Sequence, residues 1–272
     1  MNTSTGMPSL RAVRPRQFAD RERLGRDHDG GYVLPRRMVT ASQALLSLGV
    51  EADWSFEEAL LAIAPGLEVT CVDGTTGPEI IRARVLKDLG RVLRQLRLLR
   101  AVQIARGLGK PAAFRRFFAR HRFLKLMVAG RSGPGLATLA ELLAAVRGGD
   151  ASRWVLVKMD IEGSEYEVLA ASRELWPRVA GLVIEFHALD QHWPEFEAEM
   201  AALGRWFHVA HVHGNNNDGC IAGTGVPRVL ELTLVNRALC EGEPPPSTER
   251  YPLPGLDRPC KPGHPDLPLS FE

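Results

Sequence analysis

The fold is decided by the stretch from Ala44 to Asp73, which reads ALLSLGVEADWSFEEALLAIAPGLEVTCVD. Its first residues form a short apolar run that ends at Gly49, and an apolar helical pattern follows a turn at Asp53-Trp54-Ser55. The run from Leu67 to Val72 is rich in β-branched residues and stops at an acid. This stretch predicts a strand, a helix and a second strand with Asp73 at its tip.

Apolar runs and amphipathic patterns continue to alternate along the chain. Further strands are predicted at Leu124 to Ala129, Trp154 to Ile161, Leu182 to Leu189, Phe207 to His213 and Val229 to Val235, and helices at Leu136 to Val146, Ser164 to Ala171 and Pro194 to Leu203. Strands that are apolar on both faces and alternate with helices are typical of a parallel sheet covered on both sides. We therefore predict an α/β fold with a doubly wound, mostly parallel sheet of about seven strands. Ligands bind such sheets beyond the carboxyl ends of the strands, near the topological switch.

The composition excludes several classes of protein. With 272 residues, 45% of them hydrophobic and 24% charged, the chain is neither disordered nor fibrous. It has no apolar run of the roughly 18 residues that a membrane span needs, and no apolar signal-peptide core near Met1, which predicts a cytoplasmic protein. The spacing of the cysteines fits no CxxC metal pattern, so we interpret them as unpaired thiols. They are Cys71, Cys220, Cys240 and Cys260.

The positive charge is concentrated in one segment. The segment from Arg82 to Arg131 contains 15 of the 34 lysines and arginines and only one of the 32 acidic residues. The patterns at Ile80 to Val102 and Pro111 to Phe123 are those of basic amphipathic helices, which predicts an arginine-rich helical insertion. Binding of nucleic acid or of an anionic surface is one interpretation. A solvated basic face is the one we favour, because the nearby phenylalanines are spaced like the buried side of a helix; they are Phe114, Phe117, Phe118 and Phe123.

The first strand tip has features of a nucleoside site. A glycine where a strand turns into a helix lets a ligand approach the backbone, and Asp73 follows Gly49 by 24 residues, the distance at which a Rossmann-like unit places an acid on a ribose diol. The chain has no GxGxxG motif, so a dinucleotide site is not indicated. The alternative is a structural turn in which Asp53 caps the helix and Asp73 ends the strand.

Two later strands bring charged residues to the same edge. Alternation places Lys158 and Asp160 on one face of their strand, and Glu185 and His187 on one face of the next. A Lys158–Glu185 ion pair is one interpretation, because buried charges need partners. The other is a functional site at Asp160 and His187, with that pair beneath it.

A third tip, at the end of the strand from Phe207, carries two histidines. His211 and His213 share one face by alternation, and an Asn-rich loop, Gly214-Asn215-Asn216-Asn217, follows them. A strand histidine can be a buried core residue or a catalyst. A metal site formed by Asp160, His187 and His213 is a further alternative, and spacing alone leaves the metal unknown.

With these motifs assembled, the chain resembles the FkbM-type S-adenosylmethionine-dependent methyltransferases, particularly bacterial members with a DGGY entrance. The resemblance covers about residues 25 to 237 and rests on Asp29-Gly30-Gly31-Tyr32-Val33, Ser47-Leu48-Gly49 through Asp53-Trp54-Ser55-Phe56-Glu57, KMDIEGSEYEVL at 158–169, and His211-Val212-His213-Gly214-Asn215-Asn216. It implies a seven-stranded Rossmann-like methyltransferase sheet with an antiparallel last strand. It also implies that S-adenosylmethionine is bound over the first two tips and that an acceptor oxygen is methylated.

The resemblance also assigns roles to residues. It implies that the Gly49 region faces the methionine part of the donor, that Asp73 faces the ribose and that Asp160 lies by the reacting centre. The predicted donor-binding residues are Gly49, Glu51, Asp53, Asp73 and Asp160. A neutral histidine suits removal of the acceptor proton near pH 7. We predict His213 as the base, with His187 second and Asp160 orienting the base or the acceptor.

These predictions divide the chain and define its function. Residues 1–43 are expected to form an entrance segment, 44–237 the methyltransferase domain with a basic insertion at about 78–131, and 238–272 a proline-rich, irregular tail. The predicted activity is methylation of a hydroxyl on a sugar, glycan or natural-product-like acceptor, with a divalent metal as an open alternative. The competing hypothesis is a degenerate methyltransferase fold that binds nucleic acid or an anionic surface through the insertion.

Overall fold

The computed structural model describes residues 7–83, 87 and 109–272. The strands are β1 (Arg21–Gly25), β2 (Gly31–Pro35), β3 (Ala44–Leu48), β4 (Glu68–Val72), β5 (Arg122–Leu124), β6 (Met127–Val128), β7 (Leu136–Ala137), β8 (Val155–Met159), β9 (Val179–Phe186), β10 (Phe207–Gly214) and β11 (Leu230–Asn236). The helices are α1 (Arg36–Ala41), α2 (Ser55–Ile63), α3 (Lys110–Phe118), α4 (Leu139–Arg147), α5 (Glu165–Ala170) and α6 (Leu189–Leu203). Residues 78–83 are also helical, and Leu10–Val13 and Arg237–Leu239 form 3-10 turns.

Seven strands form the central sheet in the order β10-β11-β9-β8-β3-β4-β5. The pairs β3–β4, β3–β8, β4–β5 and β8–β9 are parallel, and β11 is antiparallel to both β9 and β10. The predicted doubly wound, mostly parallel sheet is therefore confirmed, including its antiparallel last strand. From β3 the chain moves to one side through β4 and β5, and later to the other side through β8 and β9. The topological switch lies between β3 and β8.

The sheet is buried on both faces. Every residue of β3, β8 and β9 is buried, which agrees with their nearly continuous apolar sequences. One core cluster includes Leu139 of α4, Leu169 of α5 and Phe196 of α6. The opposite face packs with Leu60 of α2 and Phe114 of α3. The helices thus cover both faces of the sheet, and a site can form at the ends of the strands.

A hairpin formed by β1 and β2 precedes the central sheet and was not predicted. Arg21–Gly25 reads RERLG and is half-buried, so it lacks the apolar alternation that indicates a strand. Its partner Gly31–Pro35 is wholly buried. Gly25 and Gly30 have φ of 95° and 88°, values that only glycine adopts at little cost, and they allow the turn between the strands. The DGGY motif therefore spans this tight turn and the start of β2.

One predicted strand is corrected. The expected strand from Leu124 to Ala129 is two short strands in different sheets, because the chain leaves the central sheet after Leu124, whose carbonyl accepts from Asp73 N at 3.0 Å. Met127 N then donates to Gly135 O at 2.9 Å, and β6 pairs in parallel with β7.

The basic segment is described in part. The predicted helix from Pro111 to Phe123 ends at Phe118, and Arg122–Leu124 belongs to the sheet. The predicted helix from Ile80 to Val102 lies outside the described residues beyond 83, except for Lys87.

Residues 240–272 of the proline-rich tail are all described, and they contain no helix or strand. It is fixed by backbone bonds at several points, such as Ser247 N to Pro15 O at 2.7 Å. The side chain of Asn216 donates to Pro265 O at 3.0 Å. The tail thus reaches the Asn-rich loop after β10. In the described ranges, no helix has the length and apolar character needed to cross a bilayer.

A candidate active site at the switch point of the sheet

A pocket of about 300 Å³ opens at the carboxyl ends of β3, β4, β8 and β9. Its position is the one expected for ligand binding in a doubly wound sheet. Nine acidic residues line it, namely Asp29, Glu51, Asp53, Glu57, Asp73, Asp160, Glu162, Glu185 and Asp218. Against them stand Arg26, Lys158 and His187 among the described lining residues. The pocket therefore favours a ligand that carries positive charge.

Gly49 brings the two halves of the sheet together at this pocket. Its φ is 75°, and a Cβ built on it would lie 1.6 Å from the carbonyl oxygen of Asp160. Asp160 N in turn donates to Leu48 O at 3.1 Å. A residue with a side chain at position 49 would force the tips of β3 and β8 apart. The close approach that Gly49 permits in this structure is therefore a contact between the tips of β3 and β8.

Lys158 does not form the ion pair with Glu185 that one interpretation of the sequence predicted. Its Nζ donates to Gly49 O and, at 3.2 Å, to Asp160 Oδ2. The Lys158–Glu185 pair does not form because Lys158 lies beside Val183 in the β8–β9 register, whereas Glu185 lies further along. Burial lowers the pKa of Lys158, but the neighbouring charges of Asp160 and Glu57 outweigh burial and raise it. Lys158 is therefore a buried cation whose hydrogen bonds join the tips of β3 and β8.

Asp73 organises the loops at the tips of β3 and β4. Its Oδ2 accepts from Val50 N at 3.1 Å and Glu51 N at 2.7 Å, and its Oδ1 accepts from Thr75 N at 2.7 Å and Thr75 Oγ1 at 2.8 Å. The residue is 6% exposed and lines the pocket. A carboxylate has about four lone-pair positions, so these bonds leave little of its acceptor capacity for a ribose. The predicted ribose contact remains a prediction.

The other predicted donor-binding residues also lie at this pocket. Asp53 Oδ1 accepts from Ser55 N at 3.1 Å at the start of α2, and its Oδ2 pairs with Arg26 Nε at 2.8 Å. Trp54, not Asp53, is the N-cap residue of α2, so the helix-capping alternative is not observed; the Asp53 side chain instead closes the turn before the helix and forms an ion pair with the hairpin turn. Glu51 lies at the pocket edge with φ of 48°. The structure brings Gly49, Glu51, Asp53, Asp73 and Asp160 together.

The DGGY turn adds residues whose position the sequence reasoning did not predict. Tyr32 is buried, and its hydroxyl donates to Asp160 Oδ2 at 3.3 Å. Its ring centroid lies 5.9 Å from Lys158 Nζ, within the range of a cation–π contact. Asp29 and Gly30 line the pocket. Two adjacent glycines before an aromatic residue were the signal that could have pointed to this turn.

His187 faces the pocket and is held from behind. Its Nδ1 donates to Glu165 Oε1 at 3.1 Å, and its Nε2 lies 3.9 Å from Asp160 Oδ1 and 3.7 Å from Glu162 Oε2. Glu165 is itself fixed by Ile161 N and Gly163 N at 3.0 and 2.9 Å. The Glu165 bond fixes the ring so that Nε2 points toward the pocket.

The charges around His187 set its protonation. Burial lowers the pKa of His187, but the hydrogen bond to Glu165 and the charges of Glu185, Glu165 and Asp160 outweigh burial and raise it to about 9. Burial, followed by the charges of Asp160 and Glu231, raises the pKa of Glu185 well above its ordinary value. Asn215 Nδ2 donates to Glu185 Oε1 at 2.8 Å. At neutral pH the His187 ring is therefore positively charged.

His213 lies apart from the pocket, which argues against its predicted role as the base. The residue is 2% exposed and does not line the pocket. Its Nδ1 bonds to Glu231 Oε2 at 2.9 Å and its Nε2 to Asp266 Oδ1 at 3.0 Å. Burial lowers the pKa of His213, but Glu231 and Asp266 raise it far above its ordinary value. An imidazolium with both N–H groups bonded to carboxylates has no free atom with which to accept a proton.

The positions of His187 and His213 decide whether the predicted metal site is assembled. Asp160 and His187 lie together with Glu185, and their donor atoms are within 4.8 Å of one another. His213 instead groups with Glu231 and Cys260, so the set of Asp160, His187 and His213 is not assembled. Asp160, Glu185 and His187 form the group at the pocket that could hold a divalent ion.

The described part of the basic segment does not present aromatic rings to solvent in the way a base-stacking surface would. Phe114 and Phe117 of α3 are buried, with ring centroids 5.8 and 6.1 Å from that of Trp54. Lys110 Nζ donates to Ala52 O at 3.1 Å and joins α3 to the loop after β3. This packing agrees with the interpretation of a helix with one buried and one solvated face.

Residues 126–215 match the family model described as a methyltransferase FkbM domain. The matched segment contains Asp160, Glu165, Glu185 and His187, and it ends at Asn215. The resemblance predicted from the motifs is thereby confirmed over this segment of the chain. No curated protein matches the chain.

Two solved structures have a fold similar to that of this chain. The structure of the fibrillarin/Nop5p complex has 10% sequence identity and a TM-score of 0.38, with 72% of this chain and 73% of that chain covered. The structure of precorrin-6y C5,15-methyltransferase from Geobacter metallireducens GS-15 has 11% identity and a TM-score of 0.35, with 74% and 86% covered. These similarities concern the fold alone.

Proposed function

We propose that the protein transfers a methyl group from S-adenosylmethionine to a hydroxyl oxygen of a sugar, glycan or natural-product-like acceptor. The observation that carries this proposal is the acid-lined pocket at the switch between β3 and β8. The donor has a sulfonium and an ammonium group, which suit a site where nine acidic side chains surround two permanently charged cations among the described residues. The family match supports methyl transfer.

Donor binding would use the tips of β3 and β4. Asp73 and the backbone around Glu51 lie where the nucleoside part is expected, beside an apolar wall of Leu126, Met127 and Val128 that suits an adenine ring. The Gly49 tip lies next to Asp160 and suits the methionine part. When bound, the donor supplies an electrophilic methyl group. The protein's own task is to align the acceptor oxygen and take its proton.

His187 is the residue best placed to take that proton. Its Nε2 faces the pocket beside Asp160, while the Glu165 bond fixes the ring. With a pKa of about 9, the ring must lose a proton before it can act as a base. A cationic ligand in the same pocket lowers that pKa by repulsion, which brings the base into use when the donor is bound. Asp160 then orients the ring or the acceptor.

A hydroxylated acceptor fits the mouth of the pocket. Asn215, Asn217 and Asp218 line it from the loop after β10, and Asn217 and Asp218 are exposed. The amide groups can donate to and accept from hydroxyls, and the carboxylate can accept from them, as sugar-like ligands require. This loop supports a polyhydroxylated acceptor more than an apolar one.

Calorimetric titration with S-adenosylmethionine tests the proposal directly. We expect one site per chain, and weakened binding when Asp73 is replaced by Ala. Glu68→Ala is the matched control, because this exposed acid begins the same strand at the end remote from the pocket. Absence of donor binding by the folded wild-type chain would refute the proposal.

The acceptor is then sought by incubating the protein and labelled donor with a cell extract, followed by mass spectrometry of the labelled products. Label on a hydroxyl oxygen supports the proposal. Label on nitrogen or carbon would retain methyl transfer and contradict O-methylation.

A further inference from the structure

A buried group of three different donor side chains lies behind the pocket and has no part in the proposed reaction. His213 comes from β10, Glu231 from β11 and Cys260 from the tail. Their exposed fractions are 2%, 5% and 3%. All are described, and their donor atoms lie within 4.8 Å of one another.

The distances among these atoms are those of a compact ligand set. His213 Nδ1 lies 2.9 Å from Glu231 Oε2, Cys260 Sγ lies 3.3 Å from Glu231 Oε1, and Sγ lies 3.9 Å from Nδ1. Zinc bonds of about 2.0 to 2.3 Å in a tetrahedron separate neighbouring ligand atoms by roughly 3.3 to 3.6 Å. The Nδ1–Oε2 separation is below that range, the Sγ–Oε1 separation lies at its lower limit and the Sγ–Nδ1 separation is above it. Shifts of a few tenths of an ångström would place all three atoms around one ion.

The imidazole has the outer partner that metal-binding histidines usually have. His213 Nε2 bonds to both carboxylate oxygens of Asp266, at 3.0 and 3.1 Å. In carboxylate–histidine–zinc arrangements such a bond fixes the ring and its tautomer. Asp266 belongs to the tail, as Cys260 does, so the tail supplies one candidate ligand and the orienting group of another.

The charges around the group also favour a cation. Glu231 and Asp266 contact His213, and the carboxylates of Asp29 and Glu185 approach Glu231 to within 4.8 Å. One imidazolium balances these acids only in part. Glu231 is buried, and a buried anion requires cationic partners.

We propose that His213 Nδ1, a carboxylate oxygen of Glu231 and Cys260 Sγ bind a zinc ion that fastens the tail to the sheet. Thiolate, imidazole and carboxylate together suit zinc better than the harder ions calcium and magnesium. On binding, the ion displaces the proton of the Cys260 thiol and the Nδ1 proton of His213, and both protons go to solvent. The fourth position belongs to water.

Metal analysis of the full-length protein tests the proposal. The chain is saturated with zinc, freed of loosely held metal on a desalting column and assayed for zinc per chain. We expect about one zinc in the wild type and a loss of about tenfold or more in Cys260→Ala. Cys240→Ala is the control, because this half-buried thiol bonds to Asn236 O outside the group and should leave the zinc content unchanged.

Two further measurements keep the proposal testable if Cys260→Ala folds poorly. In Asp266→Asn the affinity for zinc should fall about 10- to 100-fold, because the outer bond to Nε2 is weakened. In the wild type, a strong chelator should lower the melting temperature and expose one more cysteine to a thiol reagent. A wild-type protein without bound zinc, or with equal zinc in Cys260→Ala, would show instead that His213 is a protonated bridge between Glu231 and Asp266, and the proposal would be wrong.

Discussion

Replacing Glu165 by Gln should lower the pKa of His187 from about 9 toward its ordinary value of 6.5. The Glu165 hydrogen bond is the strongest of the interactions that raise this pKa against burial, and Glu165 also adds its charge. The full rise corresponds to about 3 kcal/mol of preference for the charged ring, at about 1.4 kcal/mol per pKa unit. His187 is 17% exposed, so solvent screening removes part of this. We expect Glu165→Gln to lower the pKa by at least about one unit.

Proton NMR of the histidine ring signals over pH 5 to 11, in buffer with a chelator, measures this directly. His187→Gln assigns the signal. Glu162→Gln is the matched control, because Glu162 is 76% exposed and lies 3.7 Å from the same ring, so its removal should change the pKa much less. A wild-type pKa near 6.5, or an equal change in both variants, would refute the reasoning.

The raised pKa also predicts a pH dependence of stability and rate. Because the folded pKa exceeds the unfolded one, the interactions of His187 stabilise the fold fully below about pH 6.5, and this stabilisation is lost as the pH rises through about 9. If His187 is the base, the rate with donor at low occupancy should increase with pH up to about 9. His187→Ala should lower turnover by about 10²- to 10⁴-fold with donor affinity retained. A flat rate profile in the wild type would assign proton removal to another group.

Three further predictions concern the strand tips and the basic segment. Gly49→Ala should lower the free energy of unfolding by about 2 kcal/mol or more in urea, because the left-handed backbone and the contact with the Asp160 carbonyl both exclude a Cβ; unchanged stability would contradict this. Asp73→Ala should weaken donor binding by about 1.5 to 3 kcal/mol in calorimetry, and an unchanged affinity in a folded variant would remove the ribose assignment. Replacing Arg91, Arg94 and Arg97 by Gln should reduce binding to anionic vesicles or RNA mainly at low salt, whereas equal, salt-independent behaviour of both proteins would favour a solvated helix.

The fold could be predicted because its strands are buried on both faces and therefore have distinctive sequences. The predicted strand from Trp154 to Ile161 contains β8, and the turn at Gly49 is where β3 ends. The hairpin strand Arg21–Gly25 could not be predicted, since half-buried polar residues show no periodicity. The strand expected at Leu124 to Ala129 failed for a related reason, because an apolar run does not indicate where a chain leaves one sheet for another.

The candidate site could be predicted in part. Strand alternation correctly placed Asp160 and His187 at one edge, because neighbouring parallel strands end together. Alternation also grouped His211 and His213, but it could not say that the tail would cover them. Asp257 bonds to His211 at 2.8 Å, and Asp266 bonds to His213 from 53 positions along the chain. Such long-range partners leave no local signal in the sequence.

The acidic lining of the pocket has a consequence for turnover. Methyl transfer would convert a sulfonium into a neutral thioether, so the ligand that leaves has one positive charge less than the ligand that arrived. A pocket lined by nine acidic side chains holds the arriving ligand more tightly than the leaving one, which limits inhibition by the product. Added salt should therefore weaken donor binding more than product binding, and the ratio of the donor affinity to the product affinity should fall as ionic strength rises.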